Sequence, residues 1–170
     1  MTEISLQAGR YNSCDEWCEA AEGWNLRFLQ LDKGALDAEM VRVLTPDLVM
    51  QKVSVSRRLH QSGSAPDGLL TFGFPLEPHL HRWLGRDLTA TSILNFGRNG
   101  GYDSISQPGF HGQTISVQTE SFLTDCAAIG ARKSPQQILA RAEEFVVSPG
   151  MHSRILRLES ALLRCANAGV

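Results

Sequence analysis

The chain has 170 residues, 42% of them hydrophobic and 20% charged, which suffices for one sizeable core. Its formal net charge of -2 leaves no basic excess to neutralise phosphates, arguing against nucleic-acid binding by these residues alone. No apolar run approaches the ~18 residues of a membrane span, and the opening MTEISLQAGR lacks the charged-then-apolar order of a signal peptide; a cytoplasmic protein without a membrane partner is expected.

In chain order, Ser13 with Glu16 three residues on is a capping box ahead of Cys14, Trp17, Cys18 and Ala21, with Gly23 as a stop. This predicts a short helix closing one end of a sheet. From Trp24 the period becomes that of a strand, with Trp24, Leu26, Phe28 and Gln30 on one side. The turn Asp32-Lys33-Gly34 before ALDAEMVRVL predicts a hairpin. Thr45-Pro46-Asp47 then punctuates, and LVMQKVSVSRRLHQ offers Leu48, Met50, Val53 and Val55 to a core. SGSAPDG reads as an open loop before the strand LLTFGFPL, and EPHLHRWLGRDL as irregular, with a turn at Gly85-Arg86-Asp87. Leu88, Ala90, Ser92, Leu94 and Phe96 share one face of a further strand, and Ile115 and Val117 one face of another. Between them lie Gly97, Asn99, Gly100, Gly101 and Asp103, residues that tolerate positive φ or bond their own backbone. A central hairpin is predicted.

After it the pattern turns helical. Thr119 is placed as an N-cap for a stripe of Phe122, Leu123, Cys126 and Ile129 that Gly130 ends. Ser134, Pro135 and Gln137 open a second predicted helix with Ile138, Leu139, Ala142, Phe145 and Val146 on its apolar face. After Ser148-Pro149-Gly150 a third carries Ile155, Leu158, Leu162 and Cys165 on one line and Leu156 and Leu163 on the next. Two apolar lines exceed what one contact needs, so a homodimer through Ile155, Leu158 and Leu162 is expected. The fold class predicted is mainly β with C-terminal helices, an antiparallel β-barrel followed by a helical hairpin. The four cysteines, at 14, 18, 126 and 165, form no CxxC, so reduced, packed thiols are expected.

This order of parts resembles the N-terminal sensing and dimerisation domain of AraC-type transcription regulators. LLTFGFPL, SILNFGRNGGYDSISQPGF and QTISVQTE look like the group that includes the ethanolamine-operon activator, and the likeness runs from about Trp24 onward. It implies a cupin-like barrel over residues 1–132 with a short N-terminal helix, and a helical hairpin for dimerisation over 133–170. It also implies a small-molecule effector, no cofactor, and promoter DNA contacted only through a C-terminal helix-turn-helix module that these residues do not include.

The alternative is a metal-dependent cupin enzyme. Such enzymes need three or four N/O ligands facing one cavity. His79 and His81 have the His-x-His spacing, and His60 and His111 are further imidazoles, but no Glu follows at the usual distance and Asp87 is the nearest acid. Surface or loop histidines, no metal and no enzyme are therefore expected. No Gly-x-Ser-x-Gly, phosphate-binding loop or dinucleotide fingerprint occurs.

The arginines supply the candidate ligand site: Arg57 and Arg58 at a strand end, and Arg82, Arg86 and Arg98 around the central hairpin. Converging guanidiniums would hold an anionic effector through bidentate hydrogen bonds. Arg82 and Arg86 form Arg-x-x-x-Arg, which resembles the motif by which PilZ domains and one branch of AraC-type regulators grip cyclic di-GMP. Trp83 and Tyr102 would add stacking surface. A small metabolite inside the barrel is the competing ligand.

Overall fold

The computed structural model describes residues 4–21, 23–97, 101–130, 138 and 140–168. The chain adopts the mainly β architecture with C-terminal helices, as two antiparallel sheets facing one another in a jelly-roll-like sandwich. The strands are β1 (Ser5–Tyr11), β2 (Asn25–Gln30), β3 (Ala38–Leu44), β4 (Leu48–Val55), β5 (Leu59–Ser64), β6 (Leu69–Pro75), β7 (His81–Trp83), β8 (Arg86–Asp87), β9 (Ser92–Asn95), β10 (Tyr102–Ser106), β11 (Phe110–Gln118) and β12 (Glu143–Val146). The helices are α1 (Cys14–Ala20), α2 (Thr119–Ala128) and α3 (Pro149–Ala168). One sheet runs β1-β3-β4-β11-β6-β9-β12 and the other β2-β5-β10-β7-β8.

The local signals that set α1 hold. The Ser13 hydroxyl accepts from the Glu16 backbone N–H, and the Glu16 carboxylate accepts from the Asn12 N–H, so both partners of the cap satisfy orphan donors at the start of α1. That seats Trp17, stacked on Phe28 at 4.5 Å, over a cluster of Leu36, Ala38, Val55, Leu59 and Phe110. Cys14 and Cys18 are half-buried free thiols whose pKa burial raises, and Cys126 is buried; the Cys165 side chain lies outside those described.

Pairing departs from the expected hairpins. β2 pairs with β5, and β3 with β1 and β4, so Asp32-Lys33-Gly34 carries the chain from one sheet to the other. The run LVMQKVSVSRRLHQ is two strands in different sheets, with Arg57 and Arg58 in the turn between β4 and β5, and β5 extends into SGSAPDG. The central hairpin is likewise absent: β10 begins at Tyr102, inside the expected turn, and pairs with β5 and β7, while β11 lies between β4 and β6. In each case the chain crosses between the two sheets, so a strand's partner lies beyond its nearest neighbour in sequence.

EPHLHRWLGRDL is ordered as a short 3₁₀ turn (Pro78–Leu80) and the hairpin β7–β8. Its turn is Leu84-Gly85, with φ of 49° and 76°, not Gly85-Arg86-Asp87. Positive φ at both central residues is what a type I′ turn requires to follow the twist of its strands.

The predicted start of the second helix lies outside the described residues, but Phe145 and Val146, placed on its apolar stripe, belong to β12, paired with β9. Asn95, wholly buried, donates from its amide to the carbonyls of Ile138 and Arg141 and accepts from the Gly97 N–H. These bonds lay the segment against the otherwise open edge of β9. α2 begins at Thr119 without a side-chain cap, and Ile129, expected on its buried stripe, is 80% exposed because it lies beyond the last helical turn. α2 contacts β6 and β11, with Phe122 against Phe72 at 6.1 Å, and α3 contacts β1. α2 thus meets the face of the larger sheet that carries Ile115, and with it Leu6, Val43 and Met50. Among the described residues no helix is long and apolar enough to cross a membrane.

Candidate functional site

The opposed faces of the sheets enclose a chamber of ≈ 80 Å³. On the smaller sheet the cross-strand register builds two inward rows, Phe28-Gln61-Ser104-Trp83 and Gln30-Leu59-Ser106-His81. On the larger sheet the facing positions include Gln51, Val53 and Val55 of β4, Gly112 and Thr114 of β11, and Gly73 of β6. Two glycines make the floor. A Cβ at Gly112 would lie 2.9 Å from the Phe110 ring, and one at Gly73 would lie 3.0 Å from the Phe96 ring, so these rings lie flat over the sheet only because no side chain rises beneath them.

Aromatic rings form the walls. Trp83 stacks on Tyr102 at 4.9 Å, and Phe96 meets both edge-on at 4.8 Å and 4.7 Å. Trp24 closes the same end against Phe96 at 5.2 Å, and at the other end His81 stacks on Phe110 at 4.6 Å. Such contacts fix ring orientation more sharply than aliphatic packing does. The Gln61 amide donates to the Tyr102 hydroxyl, whose own pKa burial raises.

His81 corrects the expectation of surface or loop histidines. His79 is exposed in the 3₁₀ turn, but His81 is 7% exposed, because β7 turns His81 and Trp83 inward together and Arg82 outward. Desolvation without a nearby charge lowers its pKa to about 4, so the ring is neutral at pH 7. Neither ring nitrogen has a partner among the described residues. Ser106, directly across the ladder, is therefore not joined to it as a nucleophile–base pair.

Comparison with protein-family models, curated proteins and solved structures finds no match to this chain. The geometry alone therefore weighs the sequence-predicted residues.

Of these, Trp83 and Tyr102 come together, as stacked walls of the chamber. The arginines do not line it. Arg82 faces Asp87 across the β7–β8 ribbon and pairs with it at 2.9 Å, donating also to the Gly85 carbonyl, while Arg86 lies opposite Trp83. Neighbouring positions on a strand point to opposite faces, so the two guanidiniums leave the ribbon on opposite sides. Arg57 donates to the Ala35 carbonyl, and the Arg58 backbone N–H donates to Asp32. Both sit beyond Leu59, at the end of the β5–β10 ladder away from Tyr102. Arg98 lies outside the described residues. Among the described residues no three His, Cys, Asp or Glu side chains group where they could hold a metal ion. His60 instead pairs with Asp103 at 2.5 Å and His111 with Glu77 at 3.2 Å.

On α3, Ile155 is half-buried while Leu158 is 61% and Leu162 39% exposed. Met151 is also exposed, seven residues before Leu158, which places it on the same stripe.

Sequence reasoning placed His81 at the surface or in a loop and missed Gln61, Ser104, Ser106 and the glycine floor. The only local signal was the His-x-Trp alternation, in a run too short to show a period.

Proposed function

We propose that this chain is the ligand-sensing and self-association domain of an AraC-type transcription regulator, which takes a small molecule into the chamber between its sheets. The observation that carries this reading is a chamber between the sheets walled by aromatic rings and neutral polar side chains, with no Asp, Glu, Lys or Arg among the described residues of its lining. Few, oriented polar groups in an apolar cavity are the usual form of a small-molecule site. A buried histidine with no hydrogen-bond partner, and no metal-binding cluster, among the described residues favour binding over catalysis.

The likeness to AraC-type regulators supplies the output, a DNA-binding module in a longer protein whose activity ligand occupancy controls. The exposed stripe Met151, Leu158 and Leu162 on α3 supports pairing with a second copy. A small molecule inside the sandwich has more support than a cyclic dinucleotide held by Arg82 and Arg86, since Asp87 already neutralises one guanidinium.

The test is mass spectrometry of small molecules released from the purified chain, combined with sedimentation. One compound retained stoichiometrically by a dimer is expected. A monomer that releases nothing, and whose melting no compound in a metabolite library raises, would overturn the reading.

A further inference from the structure

His81 and Trp83 leave the same face of β7, and each buries hydrogen-bonding atoms that nothing meets. Both imidazole nitrogens and the indole N–H lack a partner among the described residues, although the two side chains are only 7% and 2% exposed. Folded proteins pair nearly all such groups. Here the three belong to two residues that line one chamber, each ring already held by stacking, Trp83 on Tyr102 and His81 on Phe110. A neutral imidazole offers one N–H donor and one lone-pair acceptor, and an indole offers one donor. The unmet set is therefore two donors and an acceptor.

Charge and size narrow what could answer them. Among the described residues no ionised side chain lines the chamber, so an ion entering it would lose its hydration with no countercharge from them in return. The volume of ≈ 80 Å³ is about half of the ~150 Å³ cavity that accepts benzene, and would otherwise hold two or three waters at ~30 Å³ each. The walls are flat ring faces.

Resting on the sensor reading above, we propose that the chamber receives a compact, uncharged, planar molecule bearing an adjacent donor and acceptor. It hydrogen-bonds to His81 and to the indole N–H of Trp83 between the aromatic faces. His81 and Trp83 then set specificity, rejecting ions by desolvation and apolar rings by leaving their own polar atoms unpaired.

The test titrates the full chain with pyrazole, an uncharged five-membered ring whose N–H adjoins a bare nitrogen. Thiophene serves as its apolar counterpart, and acetate and methylammonium as charged ones. The indole N–H resonance of Trp83, assigned by its absence in Trp83→Phe, reports occupancy. Pyrazole at millimolar concentrations should shift that resonance and saturate, while the other three do not. His81→Phe, which keeps an aromatic ring on Phe110, and Trp83→Phe should each weaken pyrazole binding about tenfold, the loss expected of one buried hydrogen bond. His81→Phe should melt no lower than the wild type, whereas a purely structural histidine would lower the melting point.

Equal affinity for pyrazole and thiophene, or unchanged affinity in His81→Phe, overturns the inference. Should acetate or methylammonium occupy the chamber while pyrazole does not, the inference falls and the sensor reading stands. Should no probe enter and no compound co-purify, with only water seen in the chamber, both fall.

Discussion

Acidification should destabilise this protein through one imidazole. His81 titrates at about 4 in the fold because burial opposes its charge, against about 6.5 in the unfolded chain. Between those values the unfolded chain holds a proton that the folded one refuses, so stability rises with pH across the window and is lost as pH falls from about 6.5 towards 4. Evaluated between pH 7.5 and pH 4.5, the linkage is worth ~2.5 kcal/mol, a large share of the ~5–15 kcal/mol of a typical domain. Among the described residues the only other titratable side chain lining the chamber is Tyr102, which burial keeps protonated. The exposed pair Arg10–Asp37 weakens only at lower pH, because Arg10 holds its carboxyl below the ordinary carboxylate range, and it does so equally with or without His81. The assay is urea denaturation of wild type and His81→Phe at both pH values, followed by tryptophan fluorescence. Wild type should lose ~2.5 kcal/mol more than the variant on acidification. Equal losses would refute the reasoning, because they would mean that the imidazole takes up its proton in the folded chamber.

Three further outcomes follow from particular residues. Leu158→Glu, at a side chain 61% exposed, should abolish self-association in sedimentation while leaving the circular dichroism unchanged; a wild type that is monomeric at tens of micromolar would remove the interface. Leu84→Asn should stabilise by ~1 kcal/mol, because Leu84 sits at φ 49°, where a branched side chain crowds its own carbonyl and asparagine is tolerated. A drop in melting point would mean that packing of this 39% exposed leucine outweighs that strain. Gly63→Ala should cost more than ~3 kcal/mol or prevent soluble expression, since a Cβ there would lie 1.9 Å from the Asn25 carbonyl oxygen at φ 149°; a near-normal denaturation midpoint would show that β2 and β5 are not paired as described.

What the sequence determined by itself is what depends on neighbours a few residues away. The Ser13 and Glu16 cap, the alternation of Leu26, Phe28 and Gln30, and the helical periods of α2 and α3 were legible because capping, pleating and helical spacing repeat within one or two turns of chain. So was the class of fold, since short strands followed by amphipathic helices have few ways to share a core. The tertiary structure decided which strands meet, because a ladder is specified by both of its strands and the better partner of β2 lies past β3 and β4. It decided that Phe145 and Val146 extend β9, where an open sheet edge outweighs a local pattern compatible with helix. It also separated Arg82 from Arg86, whose four-residue spacing would share one face of a helix but straddles a ribbon bent at Leu84-Gly85. And it buried His81, because the register of β7 on β10 sets which face of a three-residue strand turns inward; nothing local to a three-residue strand encodes that choice, since a shift of one position would have put Arg82 in the chamber instead.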